Sequence, residues 1–200
     1  MQTAGRIRIR APICGITTVG DARAAAAAGA DAIGVVLASP SPRSVTPELA
    51  REIFAAVPPF VTTVAVTSTD REEDLATILS SRPDAVQVAG DLALPRGAGV
   101  RVIRMLAPGD ALRDDCDAVV VDGSCGTGRA FDPEYARRCV AASPVPVILA
   151  GGLSPGNVAA AIRAVRPYAV DVASGVEAAP GIKDERLMRA FVKACRTIEP

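Results

Sequence analysis

Short apolar runs alternate with longer amphipathic stretches along the whole chain, and this rhythm is the strongest signal the sequence carries. Apolar runs at 7–13, 32–37, 60–66, 85–88, 100–105, 118–121, 145–150 and 169–172 have the length and composition of buried strands. Between them, 20–28, 46–57, 70–79, 133–142, 155–165 and 184–198 read as helices, with a brief one near 110–113. Thr46-Pro47-Glu48 starts its helix with a cap, a first-turn proline and an acid suited to the dipole. The stretch 91–99 holds one proline and two glycines, so a helix there is stunted or absent.

Eight strands alternating with helices predict a parallel sheet. Eight is also the number that closes a barrel whose interior side chains can fill. The expected fold is α/β, a single (β/α)₈ TIM barrel occupying residues 1–200. Periodicity alone leaves an open doubly wound sheet as the alternative. No G-x-G-x-x-G follows an early strand to support its dinucleotide-binding form.

Composition narrows the chemistry. Half the residues are hydrophobic but only 3% are aromatic, which suits strands covered on both faces by close-packed helices. Formal net charge is zero and no long single-sign run appears, so nucleic acid is not an expected partner. No segment reaches the length of a membrane span, and the arginine-rich start lacks the apolar block of a signal peptide. A cytoplasmic protein is expected. The five cysteines show no metal-ligand spacing and there is no histidine, so neither zinc nor any other metal is expected. Proton transfer must then use Asp, Glu, Cys, Lys or Tyr.

In a barrel of this kind, reactive groups stand at the C-terminal ends of strands and in the loops that follow. Those positions hold Cys14 after strand one, Arg43 after strand two, and Asp122 at the end of strand six, followed by Gly126-Thr127-Gly128. Strands seven and eight end in Gly151-Gly152 and Ser174-Gly175. Two glycine turns in those two loops leave backbone N–H groups open to an anion, as a phosphate cradle requires. Turn glycines needed only for positive φ are the plainer reading. A lone cysteine at a strand end is ordinarily a small buried hydrophobe, and a lone aspartate a cap.

Several blocks change those odds. Ile13-Cys14-Gly15-Ile16-Thr17, Gly29-Ala30-Asp31-Ala32-Ile33-Gly34, Ser41-Pro42-Arg43-Ser44-Val45 and Ala150-Gly151-Gly152-Leu153 occur in order. They are followed by a long block from Val165 to Glu177 and by Pro180-Gly181-Ile182-Lys183-Asp184. Together they resemble the phosphoribosylanthranilate isomerase family of tryptophan biosynthesis. The resemblance implies an Amadori rearrangement of phosphoribosylanthranilate, a small-molecule substrate, by a monomer or homodimer without metal or redox cofactor. It assigns Cys14 as general base and Asp122 as general acid. Arg43 would meet the anthranilate carboxylate, the Gly151-Gly152 and Ser174-Gly175 loops the phosphate, and Gly126-Thr127-Gly128 would close over the substrate.

Three departures stand against the family pattern. The lysine usual two residues before the cysteine is Pro12, which predicts a bulge or frayed strand end and removes a cation near the thiol. Arg10 or the substrate is the expected replacement. The histidine usual at the end of strand four is Ala89, although Gln87 is kept, and one glycine of the strand-six loop is Cys125. The alternative reading is a non-catalytic or substrate-shifted phosphate-binding barrel derived from such an isomerase. The related aminoimidazole-carboxamide isomerase barrels fit less well, for no second phosphate loop follows strands three and four.

Overall fold

The structure is a computed structural model that describes residues 8–89, 92–94, 98–122 and 131–197. Strands β1 (Pro12–Ile13), β2 (Ala32–Val36), β3 (Thr62–Thr67), β4 (Ala85–Ala89), β5 (Arg101–Leu106), β6 (Ala118–Asp122), β7 (Val147–Ala150) and β8 (Ala169–Val170) pair in parallel in that order. Bridges from Arg10 to Ala169 and from Ile13 to Val172 join the first strand to the last and close the barrel. The first strand is short: Pro12 and Ile13 pair with Ala32 and Ile33 of β2, and toward β8 only single bridges form, since Pro12 has no N–H to add to a ladder.

The helices are α1 (Val19–Ala28), α2 (Pro47–Ala55), α3 (Glu73–Ser80), α4 (Pro133–Ala142), α5 (Val158–Val165) and α6 (Glu185–Arg196). Thr18, Thr46, Asp132 and Asp184 cap four of them with side-chain oxygens on first-turn N–H groups. The short helix expected near 110–113 does not form. Asp110 instead accepts the N–H of Ala107 and makes a turn, a local bond that competes with helix. No helix among the described residues is long and apolar enough to cross a membrane.

The period of two divides each strand between two layers. Ile33, Val35, Val86, Val119, Val121, Leu149 and Val170 pack outward against Ile53, Ile78, Met188 and Phe191 of the helices. The inward positions are small: Ala32, Val64 and Ala85 on one side, and Ala118, Ile148 and Ala169 on the other, meet at Ile103. Small side chains leave the axis unfilled. A cavity of about 470 Å³ extends from Arg10, Arg101 and Tyr168 at the floor up to Cys14, Gln87 and Asp171.

The floor is sealed by a repeat. Strands β2, β4 and β6 each follow an aspartate, and each carboxylate accepts an N–H at the start of the preceding odd-numbered strand. Asp31 takes Ala11 N–H at 2.8 Å, Asp84 takes Thr63 N–H at 2.8 Å, and Asp117 takes Val102 N–H at 2.7 Å. Those donors would otherwise lack a partner at the sheet edge. Asp31 also pairs with Arg196 of α6 at 2.6 Å, tying the last helix to the first strands.

Candidate active site

The C-terminal mouth of the barrel gathers most of the residues singled out from the sequence. Cys14 follows β1, with its N–H donated to Val172 O at 2.8 Å, while Ile16 N–H reaches Gly34 O at 2.9 Å. The segment is therefore held between its two neighbouring strands. Gly34 is required there for space: a Cβ on it would lie 2.9 Å from Cys14 Sγ. Gly15 has φ of 73°, and a Cβ there would lie 2.7 Å from Arg43 Cδ.

Arg43 is already engaged. Its Nε and Nη2 donate to Glu177 Oε1 and Oε2 at 2.8 and 2.7 Å, a two-toothed pair. Lys183 Nζ donates to the same Oε1 at 2.9 Å and to Ala173 O at 3.0 Å. The Lys183 side chain is fully buried and Glu177 nearly so. Burial alone would raise the Glu177 carboxyl, but the hydrogen bonds from Arg43 and Lys183 outweigh it and hold the group below its ordinary value.

Glu177 and Lys183 come from an element the sequence reading missed, a hairpin of β9 (Glu177–Ala179) and β10 (Ile182–Lys183) between β8 and α6. Its turn rests on the first loop, where Thr17 Oγ1 donates to Gly181 O at 2.6 Å. Both residues stood inside the motif blocks, but three-residue strands carry too little periodicity to be recognised.

The hairpin also answers what replaces the missing lysine. Arg10 does not: its guanidinium lies 4.2 Å above the Tyr168 ring, and both residues line the floor end of the cavity. Lys183 Nζ lies near Gly15, 3.5 Å from where a Cβ would stand, and its charge favours a thiolate at Cys14, as does that of Arg43. These cations do not prevail. Burial and then the charge of Asp171 push the Cys14 thiol up to about 12. Cys14 is consequently expected to alkylate slowly with iodoacetamide. Its rate, followed by mass spectrometry of the Cys14 peptide, should keep climbing beyond about pH 10 without a plateau. A plateau near the ordinary thiol range would refute that burial.

Asp171 is the third residue missed. In the segment Ala169 to Val172, Val170 and Val172 pack outward, whereas Ala169 and Asp171 line the barrel cavity. Burial raises its carboxyl to about 7, with Asp122 adding to the rise and Lys183 opposing it. A lone acid among three apolar strand positions was the available signal, and the period of two already aimed it inward.

Asp122 ends β6 in register with Ala150 of β7, and is half-buried. The loops after β7 and β8 come together. Gly151 and Gly152 adopt φ of 99° and 63°, and Ser174–Val176 forms a 3₁₀ turn. A Cβ on Gly175 would lie 1.9 Å from Leu153 O, so only glycine lets these two turns touch. Asn157 braces the first turn, donating to Gly152 O at 2.9 Å and accepting Ser154 N–H at 2.8 Å. Gly126, Thr127 and Gly128 lie outside the described residues, as does Cys125.

Comparison with known proteins places the chain in a family. The family model described as N-(5'phosphoribosyl)anthranilate (PRA) isomerase matches residues 11–194. The N-(5'-phosphoribosyl)anthranilate isomerase of Methanoregula boonei is 56% identical over 189 residues, covering 94% of this chain and 97% of that protein. The crystal structure of phosphoribosyl anthranilate isomerase from Thermus thermophilus superposes with a TM-score of 0.81 at 36% identity, covering 93% and 98% of the two chains. A further isomerase structure, in complex with reduced 1-(o-carboxyphenylamino)-1-deoxyribulose 5-phosphate, superposes with a TM-score of 0.78 at 32% identity over 95% of this chain and 100% of that one. With the match running from the first strand into the last helix, this chain belongs to the N-(5'-phosphoribosyl)anthranilate isomerase family.

Proposed function

We propose that this protein converts N-(5-phosphoribosyl)anthranilate to 1-(2-carboxyphenylamino)-1-deoxyribulose 5-phosphate in tryptophan biosynthesis, with Cys14 as base and Asp122 as acid. The observation that carries the assignment of roles is a thiol and a carboxyl at the C-terminal ends of β1 and β6. Those two strands belong to different sides of one barrel mouth, which suits an acid and a base acting on two faces of a sugar. Supporting it, the touching turns after β7 and β8 offer backbone N–H groups to the phosphate.

The chemistry follows from these groups. Asp122 gives its proton to the furanose ring oxygen, the C1′–O bond breaks, and the nitrogen lone pair forms a protonated Schiff base. Cys14, as thiolate, removes the C2′ proton and leaves an enolamine, which tautomerises to the ketone. Each proton transfer of this kind contributes about 10²–10⁴-fold. Arg43 meets the anthranilate carboxylate with the donors that Glu177 leaves over, and Lys183 faces the charge that forms on sulfur. Proton transfer between these side chains requires neither a metal nor a redox cofactor.

The test is the loss of anthranilate-type fluorescence when freshly made phosphoribosylanthranilate meets the purified protein. Native protein should abolish the signal rapidly, and Asp122→Asn should slow it by about 10²-fold or more. Equal rates for the two proteins would remove Asp122 from the mechanism and favour a barrel that only binds phosphate.

A further inference from the structure

The reaction contains a proton transfer that neither Cys14 nor Asp122 can complete. When the enolamine becomes the ketone, the C2′ hydroxyl must lose its proton while C1′ gains one. Cys14, carrying the proton it took from C2′, is placed to protonate C1′ on the same face. Asp122 has by then lost its own proton, but it is assigned to the ring oxygen at the other side of the mouth. The hydroxyl proton needs a separate acceptor close to Cys14.

Asp171 stands where such an acceptor is needed. It lines the same cavity as Cys14, one strand away, where Cys14 N–H bonds to Val172 O at 2.8 Å. Among the described residues its carboxylate makes no ion pair, and the N–H of Val172 is its only hydrogen-bonding influence. The charged and titratable groups facing it are Cys14 of β1, Asp122 of β6 and Lys183 of β10, and none is hydrogen-bonded to it. An acid so nearly unpartnered at the reacting thiol is available to substrate.

We propose that Asp171 is a catalytic residue for the second half of the rearrangement, the acceptor of the C2′ hydroxyl proton as the enolamine becomes the ketone on the enzyme. The inference rests on the isomerase reading above. In this step the O2′–H bond breaks and its proton passes to the Asp171 carboxylate. The oxygen electron pair forms C2′=O, and the C1′=C2′ pair takes the proton held by Cys14, restoring the thiolate. Asp171 is then protonated and Asp122 is not. Passage of that proton from Asp171 to Asp122, directly or through water, resets both acids with no net gain or loss. The strand order favours it: Asp122 pairs with Ala150 of β7, and Asp171 N–H donates to the neighbouring Leu149 O of the same strand at 2.8 Å. A carboxyl that titrates near neutrality suits a group that must both accept and release a proton there.

Turnover in D₂O, with borohydride trapping and NMR of the C1′ methylene, tests this without relying on rate. Tautomerisation on the enzyme adds hydrogen to one face of C1′, either the proton carried over from C2′ or a deuteron exchanged onto Cys14, whereas release of the enolamine to solvent labels both faces equally with deuterium. Native protein should therefore show deuterium on one face only or none at all. Asp171→Asn should give a mixture close to 1:1 while still consuming the fluorescent substrate. An even mixture from the native protein, or deuterium on one face only or none from the variant, overturns the proposal. A second measurement needs no variant: lowering the pH of native turnover through the range where Asp171 gains a proton should randomise the label, and one-face labelling at about pH 5 would also overturn it. Native protein that leaves the substrate fluorescence untouched would instead refute the isomerase reading, a separate failure.

Discussion

Cys14→Ala is expected to lower kcat by about 10²–10⁴-fold with little change in KM. The change removes only the atom that takes the C2′ proton. Arg43 remains held by Glu177, and the turns at Gly152 and Gly175 remain in contact, so the groups that bind carboxylate and phosphate keep their places. Uniform binding is preserved while an interaction made only in the transition state is lost, which is the kinetic signature of a base. Folding should be little affected, because Gly34 and the flanking hydrogen bonds to β2 and β8 do not depend on the sulfur. Steady-state fluorescence kinetics and a thermal melt of the same preparation check both halves. A variant with native kcat would take the base away from Cys14 and leave Asp171 as the candidate.

The sequence pattern was sufficient for the barrel because each apolar run is long enough to announce itself, even where the paired part of the strand is only two residues. It failed where a contact in space decides the outcome. Phe60 continues the apolar run of β3 in the sequence, yet it lies outside the strand and is 97% exposed, since pairing begins only at Thr62 opposite Ala32. The helix expected at 110–113 lost to a single aspartate, Asp110, that accepts the N–H of Ala107. The hairpin of β9 and β10 is stabilised by contacts with the first loop, some 160 residues away, which no local window can contain.

The site was legible in a similar, partial way. Cys14, Arg43, Asp122 and the two glycine turns were all marked by position at strand ends. Their electrostatic partners were not, because Glu177 and Lys183 lie on a short hairpin and Asp171 lies one residue past the paired part of β8. The loss of a lysine at position 12 looked like the loss of a cation. In space, the cation beside the thiol comes from Lys183, six residues beyond Glu177, and is supported by it. Pro12 therefore costs the site less positive field than the sequence alone suggested, while the small inward side chains, Pro12 among them, leave the cavity that Asp171 faces.

Glu177 is the residue whose removal should harm stability most. Its carboxylate is 4% exposed and neutralises both Arg43, at 21%, and Lys183, at 0%. Glu177→Ala would leave Lys183 charged and buried with Ala173 O as its only hydrogen-bond partner among the described residues. Breaking a buried pair from one side typically costs about 3–5 kcal/mol, because the remaining charge is uncompensated, whereas an exposed pair is worth about 1 kcal/mol or less. Glu177→Gln keeps an acceptor for one of the donors and should fall between. The pH dependence has a definite sign. Because the folded state holds this carboxyl below its ordinary value, its contribution is fully present above the unfolded pKa and is lost as pH falls through the folded one. Urea unfolding of native and Glu177→Gln protein should therefore show the widest gap near neutrality and a closing gap in acid. A gap that stayed constant with pH would mean that the hydrogen-bond geometry, rather than the charge of Glu177, holds the hairpin over the mouth of the barrel.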